Sequence, residues 1–204
     1  MATRRSIQRV KPSYDARDVG LIVTGEIWAE LIGPGPPRPS PYGKNLPRIP
    51  LPPYGLTLGV IDWRYTRNKI GSMGVDIITI RVGSSGLAGS GARGSQVRWL
   101  ALGSVGTAPS SGNTRLGSEW RRAGASSGDQ RLIGTFAHPT GSKYFTLIRT
   151  FQAGTVTGGV REAGAATRGS YKAGSFLNRG TFAVLQKGAS DTIKLTVKTT
   201  FTPA

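Results

Sequence analysis

The sequence contains no cysteine, which excludes disulfide bonds and metal sites built on thiolates. It contains one histidine, His138, in the turn-like AHPTG, and a transition-metal site needs several convergent ligands. No apolar stretch approaches the ~18 residues of a membrane-spanning helix. No apolar segment follows the basic start as it would in a signal peptide. We therefore expect a protein made in the cytosol, with no cofactor, no metal and no membrane contact.

Acidic residues are scarce. The chain has 27 Lys and Arg against 10 Asp and Glu, a formal net charge of +17. Such a charge attracts nucleic acid, an anionic membrane or an acidic protein surface. The only close acidic pairs are Asp15 with Asp18 and Glu26 with Glu30, so paired catalytic carboxylates have no support. A non-enzymatic protein is the prediction.

Glycine is abundant, with 30 residues among 204, and proline adds 13. Both residues favour turns, which makes long helices unlikely. Residues 1–19 are polar and basic, and they predict an extended arm that is either a frayed terminus or a clamp on a neighbour. Residues 20–32 favour a strand because they contain several β-branched residues.

Residues 33–55 hold nine of the 13 prolines. Proline fixes φ and lacks a backbone donor, so this segment predicts an extended strap, and with residues 20–32 it forms a second unit, 20–55. Its apolar side chains indicate that the strap lies on its own domain or on an adjacent subunit. The predicted subunit contacts in arm and strap are Arg4, Arg5, Arg9, Tyr42, Leu46, Ile49 and Tyr54.

From residue 56 to residue 204, short apolar runs alternate with glycine and serine clusters. Ile193, Leu195 and Val197 alternate with polar residues, the period of a half-buried strand. Short strands at this spacing predict an all-β domain, a β-sandwich or a jelly-roll-like fold. The runs lie at 56–65, 75–82, 96–102, 131–137, 143–152, 155–161, 176–185 and 192–201, and the composition of 83–95 predicts a flexible loop.

An ordered set of motifs spans about residues 97–201. It consists of WLALGSVGTAP (99–109), NTRLGSEWRR (113–122), VREAG (160–164), GSFLNRGTF (174–182) and KGASDTIKLTV (187–197). This order resembles a family of tailed-bacteriophage structural proteins of the neck, tail and fibre-attachment region. The residues that carry it are Trp99, Gly103, Gly106, Glu119, Arg122, Glu162, Gly164, Arg179, Lys187 and Asp191.

These motif residues also have a direct physical interpretation. Gly103 and Gly106 flank a turn where a positive φ is expected. Glu119 is placed to pair with the neighbouring Arg121 or Arg122. Glu162, two residues before Gly164, is expected to accept backbone donors at a tight bend. Asp191 and Thr192, after Gly188, fit a hairpin turn before the last strand.

The resemblance implies a virion protein that works by assembly in a symmetric homo-oligomer. Its partners would be portal, connector, tail or capsid subunits, with a possible nonspecific contact to DNA, and it would reside in the virion after assembly in the host cytoplasm. A capsid or capsid-decorating protein fits the β-rich pattern equally well. A basic nucleic-acid-binding module is the alternative from another class, because Trp63, Tyr65 and Trp99 are among several aromatic residues near Arg or Lys.

Overall fold

The computed structural model describes residues 21–37, 52–53, 58–70, 97–109, 115–120, 131–155, 157–169 and 174–203. The regular structure of these residues is β-strand, arranged as two antiparallel sheets packed against each other. The predicted all-β sandwich is therefore confirmed. Within these ranges, no helix is long and apolar enough to span a bilayer.

Nine strands lie in the described residues, and most are rich in the β-branched and aromatic residues that fit a pleated surface. In chain order they are β1 (Leu21–Ile32), β2 (Val60–Ile70), β3 (Trp99–Gly103), β4 (Leu132–Ile133), β5 (Thr135–Ala137), β6 (Tyr144–Phe151), β7 (Gly158–Ala166), β8 (Phe176–Lys187) and β9 (Thr192–Pro203). Turns on either side of β6 contain Gly141 and Gly154, both at φ +76°, a conformation that favours glycine.

Two layers make up the sandwich. The β1 layer has the strand order β2-β1-β9-β6-β5, and the β7 layer has the order β8-β7-β3-β4. Strand β2 pairs with β1 for most of its length, and its last two residues, Lys69 and Ile70, pair with β8 of the other layer. On the opposite side, only Gly134 separates β4, which pairs with β3, from β5, which pairs with β6. The two layers are thus connected along both sides.

The apolar core lies between the layers. Ile193, Leu195 and Val197 of β9 are fully buried, which confirms the predicted alternation. Each such side chain stabilises the fold by about 1.5–3 kcal/mol relative to exposure. Leu100 of β3 and Leu147 of β6 meet next to Gly134, where an added Cβ would stand 3.3 and 3.4 Å from their atoms. The core therefore extends to the point where the chain crosses between layers.

Strand β1 is buried on both faces in its second half. Ile27 and Leu31 point into the core, and the alternate side chains Trp28 and Glu30 are 1% and 0% exposed. The Trp28 ring lies 5.4 Å from that of Tyr65 on β2. The strand predicted at 20–32 is confirmed, but its polar face is more buried than the sequence pattern indicated.

Most predicted apolar runs correspond to strands. The run at 56–65 begins and ends too early, because β2 starts at Val60 and its ladder continues to Ile70 through polar residues. The run at 131–137 forms two strands, since the chain passes between layers at Gly134. The run at 75–82, the loop at 83–95 and the arm at 1–19 lie outside the described residues. Of the strap, residues 33–37 and 52–53 are described, and Pro52 is buried.

Candidate functional site

Metal-binding side chains do not converge in the part of the chain that the structure describes. No group of three His, Cys, Asp or Glu side chains there is placed to hold a metal ion. His138 is exposed in the connection between β5 and β6. The letters GASSG at 124–128 match the GxSxG pattern of hydrolase nucleophiles, but they lie outside the described residues.

The outward face of the β7 layer is covered by a segment that follows β3. We name residues 104–109 and 115–120 the covering segment. Leu116 of this segment is buried against Trp99, Ala101, Ala166 and Phe176, which form a second apolar cluster outside the main core. The backbone bond from Trp120 N–H to the Leu102 carbonyl ties the segment to β3, and the bond from Ser104 N–H to the Ser118 carbonyl joins the two parts of the segment, both at 2.9 Å. The segment therefore acts as a partial third layer.

Glu162 of β7 anchors the covering segment. Its Oε1 accepts the Ser118 N–H at 2.9 Å, and its Oε2 accepts the Gly117 N–H at 3.0 Å. Arg179 of β8 donates from Nε to the same Oε2 at 2.9 Å and from Nη2 to the Thr107 carbonyl at 3.0 Å. Glu162 is 0% exposed, so its charge is stabilised by these donors instead of water. The predicted role as an acceptor of backbone donors is confirmed, but Glu162 lies within a strand and not at a bend.

One motif glycine makes room for this network, and a second makes room for the neighbouring strand β8. A Cβ at Gly103 would stand 2.4 Å from Glu162 Oε1 and 2.6 Å from the Ser118 carbonyl oxygen. A Cβ at Gly164 would stand 2.5 Å from the Asn178 carbonyl oxygen. Neither glycine, nor Gly106, is among the residues with positive φ. The predicted turn conformation at Gly103 and Gly106 is therefore wrong. Glycine is needed at position 103 because Glu162 and the Ser118 carbonyl approach it closely.

Glu119 forms a buried two-point ion pair with Arg131. The Arg131 Nε and Nη2 atoms donate to the two Glu119 oxygens at 2.6 and 2.9 Å, and Nη1 donates to the Arg168 carbonyl at 2.9 Å. The Arg131 guanidinium also lies 4.9 Å from the Phe176 ring centroid. The predicted partners Arg121 and Arg122 lie outside the described residues, and the pairing observed is with a more distant arginine.

The strand positions explain the choice of Arg131. Glu119 bridges Gly103 at one end of β3, and Leu132 pairs with Leu100 near the other end. The chain thus lies beside β3 twice, before and after residues 121–130. The ion pair joins the two ends of this interruption, so it holds the edge of the β7 layer together.

A third buried pair lies on β2, in the part of that strand that pairs with β1. Arg64 Nη1 binds the Asp62 carboxylate and the Trp63 carbonyl. Its Nε and Nη2 donate to the carbonyls of Ala183 and Val184 on β8 at 3.2 and 2.8 Å. Since β2 and β8 pair directly only at their ends, the guanidinium replaces ladder bonds between them.

Lys187 and Asp191 lie at the connection between β8 and β9. The Gly188 N–H donates to Asp191 Oδ2 at 2.8 Å, which confirms a turn at the predicted residues. The turn does not form a hairpin, because β8 and β9 belong to different layers. Lys187 is 1% exposed, and this burial lowers the pKa of its ammonium group, with Asp191 opposing the change.

The outward face of the β1 layer carries two more ion pairs. Lys198 lies 3.1 Å from Glu26, and Lys194 lies 3.6 Å from Glu30. The Tyr65 hydroxyl lies 3.0 Å from Glu26 Oε1. Burial raises the pKa of Tyr65 above its ordinary value, with hydrogen bonding and charge interactions as smaller influences.

Together these contacts leave a one-sided surface charge. Every carboxylate in the described residues interacts with a basic side chain, and all are buried except the half-buried Glu26. The exposed charged side chains of the same residues are all cationic. They are Arg67, Arg98, Arg115, Lys143, Arg149, Arg161 and Arg168. Within the described residues, the exposed surface charge is therefore positive.

The structure brings part of the predicted set together. Gly103, Glu162 and Arg179 contact the covering segment, which itself contains Gly106 and Glu119, and Gly164 lies beside Asn178 and Phe176 of β8. Trp99 borders the covering segment, while Lys187 and Asp191 lie apart at the layer connection. Arg122 and the predicted subunit contacts Arg4, Arg5, Arg9, Tyr42, Leu46, Ile49 and Tyr54 lie outside the described residues.

The sequence analysis did not identify Asp62, Arg64 and Arg131 as site residues. The one signal for Arg131 was its position at the start of a predicted strand run.

No protein-family model, curated protein or solved structure matches the chain.

Proposed function

We propose that this chain is a structural protein of a tailed-bacteriophage particle, in the neck, tail or fibre-attachment region. It acts by assembly with neighbouring subunits and performs no catalysis. The observation that carries the proposal is the convergence of the resemblance motifs. Gly103, Glu119, Glu162 and Arg179 come from separate motifs, yet they meet at one covering segment, of which Glu119 is part.

The convergence of these motif residues supports the resemblance because it explains physically why the motifs occur together in one sequence. Glu162 and Arg179 fix the covering segment, and Gly103 leaves space for the carboxylate. Contacts of this kind maintain a fold, which is what a protein that acts by assembly requires.

The state of the carboxylates supports a non-catalytic role. A general acid or base must reach a substrate proton. Within the described ranges, Glu119 and Glu162 are each occupied by an arginine and are 7% and 0% exposed. The non-catalytic role can be tested at His138, the one histidine of the chain. The variant H138A should leave particle assembly unchanged. Loss of assembly without loss of folding would contradict it.

Assembly in this proposal is symmetric. The basic arm and the proline strap are the predicted contact segments, through the subunit contacts named above. We expect the purified chain to form a closed oligomer, measured by light scattering after size-exclusion chromatography. Removing residues 1–19 should reduce the oligomer mass, while the matched surface variant K143Q should not.

The location is tested on purified particles. Antibody labelling followed by electron microscopy should place the chain at the neck or tail. Labelling over the whole shell would favour a capsid or decoration protein instead. Absence of the chain from purified particles would refute the proposal.

A further inference from the structure

We propose that the outward side of the β7 layer binds the phosphate backbone of double-stranded DNA through Arg98, Arg161 and Arg168, with Arg115 beside them. This inference goes beyond the proposed function. A virion protein need not bind DNA, and a DNA-binding protein need not belong to a virion.

Arg98 and Arg168 lie together at one end of this surface. The Arg98 N–H donates to the Ala166 carbonyl at 3.2 Å, which places Arg98 at the end of β7, close to Arg168. The Arg98 guanidinium lies 5.6 Å from the centroid of the Trp99 ring, which faces outward with the second apolar cluster. Both arginine side chains are exposed.

Arg161 and Arg115 extend the surface along the covering segment. A Cβ at Gly106 would stand 3.7 Å from Arg161 Cδ, so Arg161 lies against that segment. Arg115 is exposed and directly precedes Leu116, which is buried in the outer cluster. Six strand positions separate Arg161 from the residue opposite Arg98, a span of roughly 20 Å at about 3.3 Å per residue.

Within the described residues, no carboxylate neutralises this surface charge. Glu119 and Glu162, which lie beneath it, are buried and already bind Arg131 and Arg179. No exposed carboxylate occurs in the described residues. A 20 Å length of B-DNA carries about 12 phosphate charges. Several exposed arginines lie along this length, so each can bind a different phosphate, and guanidinium groups bind phosphate oxygens in a two-point geometry.

The position of Trp99 favours backbone contacts over base stacking. Arg98 lies over its ring, and a Cβ at Gly169 would stand 2.7 Å from its Cη2 and Cζ3 atoms. Since neighbouring groups already contact the ring, it is not available as a platform for an unpaired base. The surface should therefore bind duplex DNA without sequence preference.

The test is the salt dependence of binding to a fluorescent DNA duplex of mixed sequence, measured by anisotropy with the full chain. The variant R98Q/R161Q/R168Q is compared with wild type. Losing three phosphate contacts reduces the slope of log affinity against log salt by about 2.7. Between 50 and 200 mM salt, the wild-type affinity should then fall about 40-fold more than that of the variant.

The control variant R67Q/K143Q/R149Q removes the same charge from three other exposed positions. It should keep a slope close to that of wild type. Equal loss in both variants would overturn the proposal, because it would show a diffuse effect of net charge. No binding of duplex by the wild type, or binding of polyglutamate with equal affinity and slope, would also overturn it. Thermal melts of both variants confirm that the fold is retained.

Discussion

Replacing Glu162 with glutamine tests whether its charge holds the covering segment on the β7 layer. The amide keeps the shape of the side chain but replaces one acceptor oxygen with a donor group. Arg179 then remains buried without its counter-charge, 4% exposed. Removing one partner of a buried ion pair destabilises a protein by about 3–5 kcal/mol. For a chain of this size that is a fall in melting temperature of roughly 6–20 °C.

The assay is urea unfolding followed by tryptophan fluorescence. The matched control is R161Q, because Arg161 is the exposed neighbour on the same strand, and it should change the free energy of unfolding by less than about 0.5 kcal/mol. The double variant E162Q/R179M should lose less than the sum of the single variants, since it leaves no buried charge unpaired. Trypsin should cleave after Arg115 faster in E162Q than in R161Q. A loss below about 1 kcal/mol, or additive single variants, would refute the reasoning.

Three further predictions concern other buried groups. G103A should destabilise the fold by about 1–3 kcal/mol, because its Cβ would overlap Glu162 Oε1, while G106A, with its nearest atom 3.7 Å away, should change stability little; equal unfolding midpoints would contradict this. Burial lowers the pKa of Lys187 below 10.5, so the folded protein loses the Lys187 proton at a lower pH than the unfolded protein does. The free energy of unfolding should therefore rise with pH between the two pKa values, and K187M should lack this rise. Burial raises the pKa of Tyr65 above 10.0, so stability should fall as pH rises above 10, and a tyrosinate absorbance change above pH 10 should be missing in Y65F.

Local patterns predicted the strands well, because alternation in a segment such as 192–201 depends only on which face meets the core. The same patterns could not identify which residue, distant in sequence, a side chain contacts. Glu119 was matched with adjacent arginines, but strand pairing brings Arg131 to it from the far side of residues 121–130. Sequence proximity is a poor guide wherever the chain leaves a sheet and returns to the same edge.

The interpretation of glycine failed for a related reason. Gly103 was assigned to a turn because glycine often occupies turns, yet it lies in β3 opposite Glu162. The need for a missing side chain there comes from groups distant in sequence. Likewise, the turn at 188–191 was found, but the change of layer that it makes depends on where β1 and β2 insert between β9 and β8. The sequence thus predicted which residues belong to the candidate site, but not their positions and contacts in the fold.

The connection of the layers along both sides has a consequence for how copies of this chain can meet. An open sheet recruits further strands through its unpaired backbone groups, which leads to fibres as easily as to ordered contacts. Here the terminal strands of the order, β4 and β5, are consecutive in the chain and are paired to opposite layers. In the described residues these two outermost strands are only two and three residues long, which limits growth by strand addition. Packing at high local density would then depend on side chains, and it would respond to ionic strength.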